Sequence, residues 1–475
     1  MTNASVDSQS AERAAMQADI DLISDVLAGV DAMRARSKVY LPQYGRELEK
    51  EYRRRVSSAP WRPEFVDVLR TLSAKPFSQP ITLPADTPKA IVEFADNVDG
   101  RGNNLHVFAH RLFVDAVAYG ISIITIDFPK RTWGPSVADA IAANPRPYWC
   151  LIPISNVIAL YTEFKNGREI VVHLRTREDT TVVDGFGEKL VERIRVIDRG
   201  SWSLWEKRKD ASGTTTWVSI DGGELQNGSG KLDAVPAVIV VTGDRQGTIK
   251  TKPPLKDLAD MQVELFRALS RQDELLTFAG SPMLATTQYL DQTDGTTKVV
   301  EVGPKTVLGG ASDNKGDQTK WYYVQPDAAN IREVREHVES VIEDMQRLGL
   351  QPTITRSGTA SATESDITAA KAHSALQAWA LTLKDALEQA FVLTMPWMSE
   401  NGRVIDPFSV SVNVHTDFAA SFEATTEAST ILTAEKQRVI SKQTARDELA
   451  RRGILGPAFQ SRSEPKKISS EGAAT

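Results

Sequence analysis

The sequence predicts an α+β protein, and three observations carry that prediction. Apolar and polar residues alternate with period two from Val157 to Ile220. After residue 252, long segments repeat at the three-and-four spacing of a helix. Ahead of residue 130, a helical pattern runs straight into a buried apolar strand. A chain of 475 residues has ample length for several domains and a core.

In chain order, residues 1–12 read as disordered and an Ala-rich helix is expected over about 13–36. Arg34–Arg55 holds eight basic and three acidic residues, which fits either a solvated helix face or a docking patch for a partner. A helix from Leu105 to Ala118 ends at Gly120 and leads into "ISIITIDFP", a strand stopped by Pro129. In "VIALYTEFKNGREIVVHLRTR", Asn166-Gly167 suits the positive φ angles of a type I′ hairpin turn. "LVERIRVIDR", "SWSLWEKRK" and "TTTWVSI" continue the meander.

The second half is helical. "PPLKDLADMQVELFRALSRQDELLTFAGSP" opens on proline and closes on Gly280 and Pro282, the expected punctuation of a helix. Continuous over 253–280, it would be roughly 40 Å long. Leu255, Leu258, Gln262, Leu265, Leu269, Gln272 and Leu276 recur along it at alternating three and four. Residues 281–327 are turn-rich with short strands, and Asp327 can cap a helix over 328–348 that stops at Gly349. Its apolar seam is Ile331, Val334, Val338, Val341, Met345 and Leu348. So narrow a seam covers part of a helix, so each helix needs neighbours on more than one side. A monomeric bundle and a stem packed between copies in a ring both meet that need.

A third helix starts at Ser361 or Thr363, where "SATE" and "TESD" each fit a capping box, and runs to Thr394 before Met395-Pro396. Its buried stripe is Leu376, Trp379, Ala380, Leu383, Leu387, Ala390 and Phe391. A strand, "SVSVNVHTDF", and two shorter helices follow, the second capped by Ser441 and closed by Gly453; the tail from Gly456 reads as disordered. The loop between the second and third helices, 350–363, carries a single charge, Arg356.

Composition narrows the function. With 56 basic against 62 acidic residues, the net charge of −6 disfavours a protein whose main work is gripping nucleic acid. One cysteine, Cys150, excludes an intramolecular disulfide and a cysteine-based zinc site, and fits assembly in a reducing cytoplasm. No apolar run reaches the ~18 residues of a membrane span, and the start lacks the layout of a signal peptide. "NGSGKL" has Leu225 and Leu232 where a phosphate loop needs Gly and Ser or Thr. His106 and His110 in "HVFAH" lack the intervening glutamate of a zinc protease and read as a packing pair. "DGRGNNL" lacks the third glycine of a dinucleotide site, and "TRSGT" is no nucleophile elbow. No catalytic residue, cofactor or metal is expected.

Several of these segments, in this order, resemble the portal proteins of tailed double-stranded-DNA bacteriophages. They are "YLPQYGRELEKEYRRRV", "DGRGNNLHVFAHRLFVDAVAYGISIITIDFP", the 253–280 helix with its exit, "VGPKTVLGG" with "WYYVQPDAANIREVREHVESVIEDMQRLGL", "TASATESDITAAKAHSALQAWALTLKDALEQA" and "VISKQTARDELARRGIL". The resemblance extends from about Tyr40 to Leu455.

It implies a portal fold: an α/β wing at 1–252, stem helices at 253–280 and 328–348, and a clip at 281–327. A tunnel loop at 349–363, a further wing helix and strand at 364–420, and a crown with a disordered tail at 421–475 complete it. Such proteins form rings, usually of about twelve subunits, by heterologous contacts that close. The ring sits at one capsid vertex of the virion, where a terminase pumps DNA in and head–tail adaptor or tail proteins later dock. Major capsid or scaffold protein surrounds it. The implied subunit contacts are Leu258, Leu265, Leu269, Val334, Val338, Val341 and Met345, and the implied partner-binding clip residues are Lys298, Lys305, Lys315 and Lys320.

Gln351, Thr353, Thr355, Arg356, Ser357, Thr359 and Ser361 would then face the duplex. Duplex DNA has a persistence length of about 50 nm and must pass straight along the axis. Because each phosphate neutralised strengthens binding, hydroxyls with one thin ring of Arg356 make a low-friction lining; alternatively Arg356 pairs with Asp366. A phage nuclease or protease, or a static DNA-binding scaffold, are the competing readings.

Overall fold

The computed structural model describes residues 5–130, 145–209, 213–227, 230–280, 283–286, 321–324, 328–349, 362–400, 403–404, 410–416, 418, 431–437 and 439–451. Helices and antiparallel sheets are both present, so the protein is α+β. It divides into two compact units: Met1–Ser24 with Phe65–Asp257 and Gln346–Thr475, and Asp25–Glu64 with Leu258–Met345.

The N-terminal helices are α1 (Ala11–Ala15), α2 (Gln17–Ala28), α3 (Val30–Ala35), α4 (Ser37–Tyr40), α5 (Glu49–Ser58), α6 (Glu64–Ala74), α7 (Lys89–Ala95) and α8 (Leu105–Tyr119). The single helix expected over 13–36 is thus broken, once at Gly29, whose φ of 88° no helix accommodates. The disorder expected for 1–12 does not hold for the described residues from Ser5 onward. Val6 packs on the buried cluster of Ile158, Ile194 and Val196. The Ser10 hydroxyl caps α1 by accepting from the Arg13 N–H. Arg13 is buried and donates from Nε to the carbonyls of Ile154 and Val157 at 3.1 and 2.9 Å. The Glu12 carboxylate accepts three backbone N–H bonds from Thr248, Ile249 and Lys250. Composition alone did not show these long-range anchors.

In the first unit, β1 (Ile121–Asp127) and β2 (Tyr148–Pro153) precede a meander of β3 (Val157–Lys165), β4 (Arg168–Arg177), β5 (Thr180–Asp184), β6 (Gly187–Val191), β7 (Arg193–Asp198), β8 (Ser201–Lys209) and β9 (Thr215–Glu224). Two ribbons, β10 (Gln226–Asn227) with β11 (Gly230–Lys231) and β13 (Asp244–Arg245) with β14 (Thr251–Lys252), flank β12 (Ala237–Val241). One sheet has the order β12-β1-β2, all antiparallel. As its central strand, β1 is buried on both faces, which is why "ISIITI" shows no alternation. Gly120 lets α8 turn into β1 at φ 78°, and a Cβ there would sit 2.9 Å from the Pro253 Cα.

The other sheet runs β3-β4-β7-β8-β9. Asn166 and Gly167 take φ values of 52° and 74°, the expected primed turn. The separate β5–β6 hairpin was not foreseen: its residues are almost all exposed and give no core-facing alternation.

The second unit holds α9 (Lys256–Gly280) and most of α10 (Ala328–Leu348), joined at their distal ends by the ribbon of β15 (Met283–Thr286) with β16 (Trp321–Val324). Residues 25–64, expected with the N-terminal region, pack here against α9. Trp61 meets Phe266 edge-on at 5.5 Å. The Gln262 amide donates to the Arg62 carbonyl at 2.8 Å, and Arg267 Nε to the Tyr40 carbonyl at 2.7 Å.

Back in the first unit, α11 (Ala362–Thr394) and α8 cover the three-stranded sheet. Trp149 on β2 is enclosed by Phe94, Phe108 and Phe391, with ring centroids 5.5, 5.6 and 4.9 Å away. Its indole N–H donates to the Thr394 hydroxyl at 2.7 Å, which in turn donates to the Ala390 carbonyl. An aromatic can be fully buried there because its polar edge is satisfied. The strand expected at "SVSVNVHTDF" is reduced, among the described residues, to a bridge between Thr82 and Asn413. A short ribbon of β17 (Ser399–Glu400) with β18 (Arg403–Val404) precedes it, and α12 (Lys442–Arg451) is capped by Ser441, as expected.

Candidate assembly and channel elements

Helix α9 changes character along its length. From Leu258 to Ser270 most positions are buried, with Leu265 and Phe266 at 0% exposure. From Arg271 to Gly280 none is, and Leu276 and Phe278 stand 51% and 57% exposed. The facing end of α10 behaves alike: Ile331 and Val334 are half-buried, whereas Val338, Val341, Ile342 and Met345 are buried. Among the described residues, the hairpin of α9 and α10 is therefore closely packed in its proximal half and more open in its distal half.

Of the expected seam, Leu258, Leu265, Leu269, Val338, Val341 and Met345 are buried within the single chain, and Val334 is half-buried. The exposed Leu276 lay on the predicted stripe; Phe278 lay off it and was missed.

Charges on the distal half are mixed. Glu333, Glu336 and Glu339 are exposed beside Arg332 and Arg335, and Arg335 pairs with Glu339 at 3.1 Å. At the root of this region Arg55 is buried, donating to both Glu47 oxygens at 2.7 and 2.8 Å and lying 4.2 Å from the Tyr44 ring centroid. Those bonds hold Glu47 below the ordinary carboxylate range and raise Arg55. Glu274 on α9, 3.7 Å from Arg55, is pushed up by burial. A buried, two-pronged pair of this kind fixes the loop before α5.

Gln351, Thr353, Thr355, Arg356, Ser357, Thr359 and Ser361, and Lys298, Lys305, Lys315 and Lys320, lie outside the described residues, as does the side chain of Asp366. What is described is their framing: β15 and β16 close the segment 287–320, and α10 and α11 bracket 350–361.

The first unit also holds a polar cavity of about 530 Å³ around Arg195. Arg195 lies 2.8 Å from Glu178 and 3.2 Å from Asp127, and Tyr148 donates to Asp127 at 3.0 Å. Burial works against the Arg195 charge, but Glu178 and Asp127 outweigh it and raise its pKa. Burial, with Asp127 and Glu178 behind it, pushes the Cys150 thiol up to about 12. The charges face one another, and a thiol held protonated in this way is a weak nucleophile. His106 and His110 both meet the Phe77 ring edge-on, at 5.4 and 5.0 Å, and His106 Nδ1 accepts from the Ile81 N–H. They pack, as read from the sequence. Among the described residues no His, Cys, Asp and Glu group is arranged to hold a metal, and no helix is long and apolar enough to cross a membrane.

Residues 254–398 match a family described as a domain of unknown function, DUF4055. A search of curated proteins gives no match. Among solved structures the chain is similar to the neck of a native GTA particle computed with C12 symmetry, with TM-score 0.43 and 11% identity over 82% of this chain and 89% of that one. It is similar to the neck of an empty GTA particle computed with C6 symmetry, with TM-score 0.43 and 12% identity over 82% and 90% of the two chains. The virion of a native gene transfer agent particle is a third, with TM-score 0.39 and 12% identity over 88% and 98%.

Proposed function

We propose that this chain is the subunit of a portal ring: a channel at one capsid vertex through which double-stranded DNA is packaged and later ejected. The observation that carries the reading is the α9–α10 hairpin, whose distal half presents Leu276 and Phe278 more than half exposed. A helix with apolar residues off its packed side needs a further neighbour, and a head-to-tail ring supplies the same neighbour to every copy. The order of elements supports it too: a mixed α+β unit, helix α9, the ribbon that brackets 287–320, helix α10, and then the long helix α11 of the first unit.

On this reading the chain has no chemistry of its own. Terminase and then adaptor or tail proteins dock on it, capsid or scaffold protein surrounds it, and the net charge of −6 keeps the duplex from being held. Electron microscopy of the purified protein tests the proposal. Closed rings with a central hole are expected; compact particles without one, nuclease activity or ATP hydrolysis would overturn it.

A further inference from the structure

The β5–β6 hairpin continues β4 and β7 beyond the edges of their neighbouring strands, so it stands as a two-stranded arm. Five paired positions at about 3.3 Å each make it roughly 16 Å long. Its tip reads Asp184-Gly185-Phe186-Gly187-Glu188, with Phe186 fully exposed and Val183 and Leu190 at 77% and 64%. Two strands alone are marginally stable in water, and an aromatic at such a tip invites a partner. Among the described residues, neither Asp184 nor Glu188 forms an ion pair with its own chain.

In the second unit, α3 and α5 border a cleft of about 440 Å³ lined by Asp31, Arg34, Ala35, Ser37, Tyr52, Arg53, Val56 and Ser57, where Arg53 also pairs with Glu49 at 2.9 Å. Asp31 aside, the cleft lies within the stretch that holds eight basic and three acidic residues. Two of its side chains carry polar atoms that are shut off from water and unpartnered: Arg34 Nε and the Tyr52 hydroxyl. Native interiors rarely leave such donors unmet. A small rotation of either toward a carboxylate in the cleft would satisfy it.

We infer that the arm of one copy docks in the α3–α5 cleft of the next, Phe186 entering between Ala35 and Val56 while Asp184 and Glu188 meet Arg34, Tyr52 and Arg53. The inference rests on the ring reading and names a contact for it. The occupant is a second copy because a tip of one aromatic and two carboxylates meets a half-apolar cleft with two guanidiniums against the single carboxylate of Asp31, and both belong to this chain. One contact of this kind is head-to-tail and repeats.

The test is a cysteine pair, Gly187→Cys with Ser57→Cys, in the full chain. Gly187 has an ordinary φ and room for a Cβ, and Ser57 is exposed on the cleft. Mild oxidation should give a ladder of disulfide-linked dimers, trimers and higher multimers on a non-reducing gel, while each single variant stays unlinked. Adding Phe186→Ser should slow the linkage by about tenfold or more, as for a buried aromatic anchor. Rings seen by microscopy with no ladder, or with linkage only within a chain or only to dimers, overturn the docking and leave the ring reading intact. Linkage unchanged by Phe186→Ser also overturns it. Absence of rings and ladder together removes the ring reading itself.

Discussion

Asp115 on α8 should set a pH dependence on stability. Its Oδ2 is closed off from water and without a hydrogen-bond partner. Burial pushes its carboxyl from 3.8 up to about 7, with the Ser122 hydroxyl pulling the other way. The unfolded chain releases this proton near pH 4, whereas the native state keeps it until about 7. Between those values the native state binds more protons, so stability falls as pH rises and is level above the window. At about 1.36 kcal/mol per unit, the shift costs at most ~4 kcal/mol at pH 8 and about 2 at pH 5. Asp115→Asn keeps the shape and removes the titration. Urea unfolding followed by tryptophan fluorescence should show the variant gaining on the wild type by about 2 to 3 kcal/mol more at pH 8 than at pH 5. An advantage that is equal at the two pH values, or larger at pH 5, would refute the argument.

Three further outcomes are expected. Thr394→Val should strand the Trp149 indole N–H in the aromatic core and lower stability by about 1–3 kcal/mol, read as a shift in the urea midpoint at unchanged slope; a shift below about 0.5 kcal/mol would mean that the bond contributes nothing. Leu276→Ser with Phe278→Ser should leave the melting temperature of the folded subunit in place while mass photometry shows rings lost, whereas Val338→Asp should unfold the chain; intact rings in the first variant would remove the distal hairpin from the interface. Arg356→Ala should assemble normally but retain genomes poorly, and Arg356→Glu should be worse; full genome content in both would end the assignment of residues 349–363 to the channel lining.

How far the sequence could be read depended on whether a signal was local. Helix α10 falls at 328–348 as predicted, because its stripe and its closing glycine lie within one short window. The Asn166-Gly167 turn was equally plain, since its two φ angles are a property of two residues. What failed was long-range. Arg13 and Glu12 look like ordinary solvated charges until the backbone at 154–157 and 248–250 is brought to them. The strand at "SVSVNVHTDF" had the right alternation but meets little more than Thr82 among the described residues. The β5–β6 arm was missed for the opposite reason: a hairpin with no buried face has no alternation to detect. For the candidate site, the two helices and their bounds were legible, but not which apolar residues the folded chain leaves exposed. A heptad count identifies apolar positions and is silent on their burial, which is a property of the whole fold.

That division bears on how a ring of this chain could hold together. Each subunit carries a net charge of −6, so copies repel at long range; at physiological salt, charges interact over only about 8 Å, and local pairing decides. The proximal seam is buried within the single chain. More exposed are the distal hairpin, with Leu276, Phe278 and mixed charges, and the two features proposed to meet, the Asp184–Glu188 tip and the α3–α5 cleft. An acidic arm and a basic cleft on one chain cannot form a self-matching pair through either feature alone, since each would meet its own sign. They match when one copy's arm faces another copy's cleft, either reciprocally about a two-fold axis or head-to-tail, and the ring reading takes the second. Directional contacts of this kind close into rings or run on as filaments. The distal hairpins, if they meet around an axis, would then fix the angle at which the ring closes.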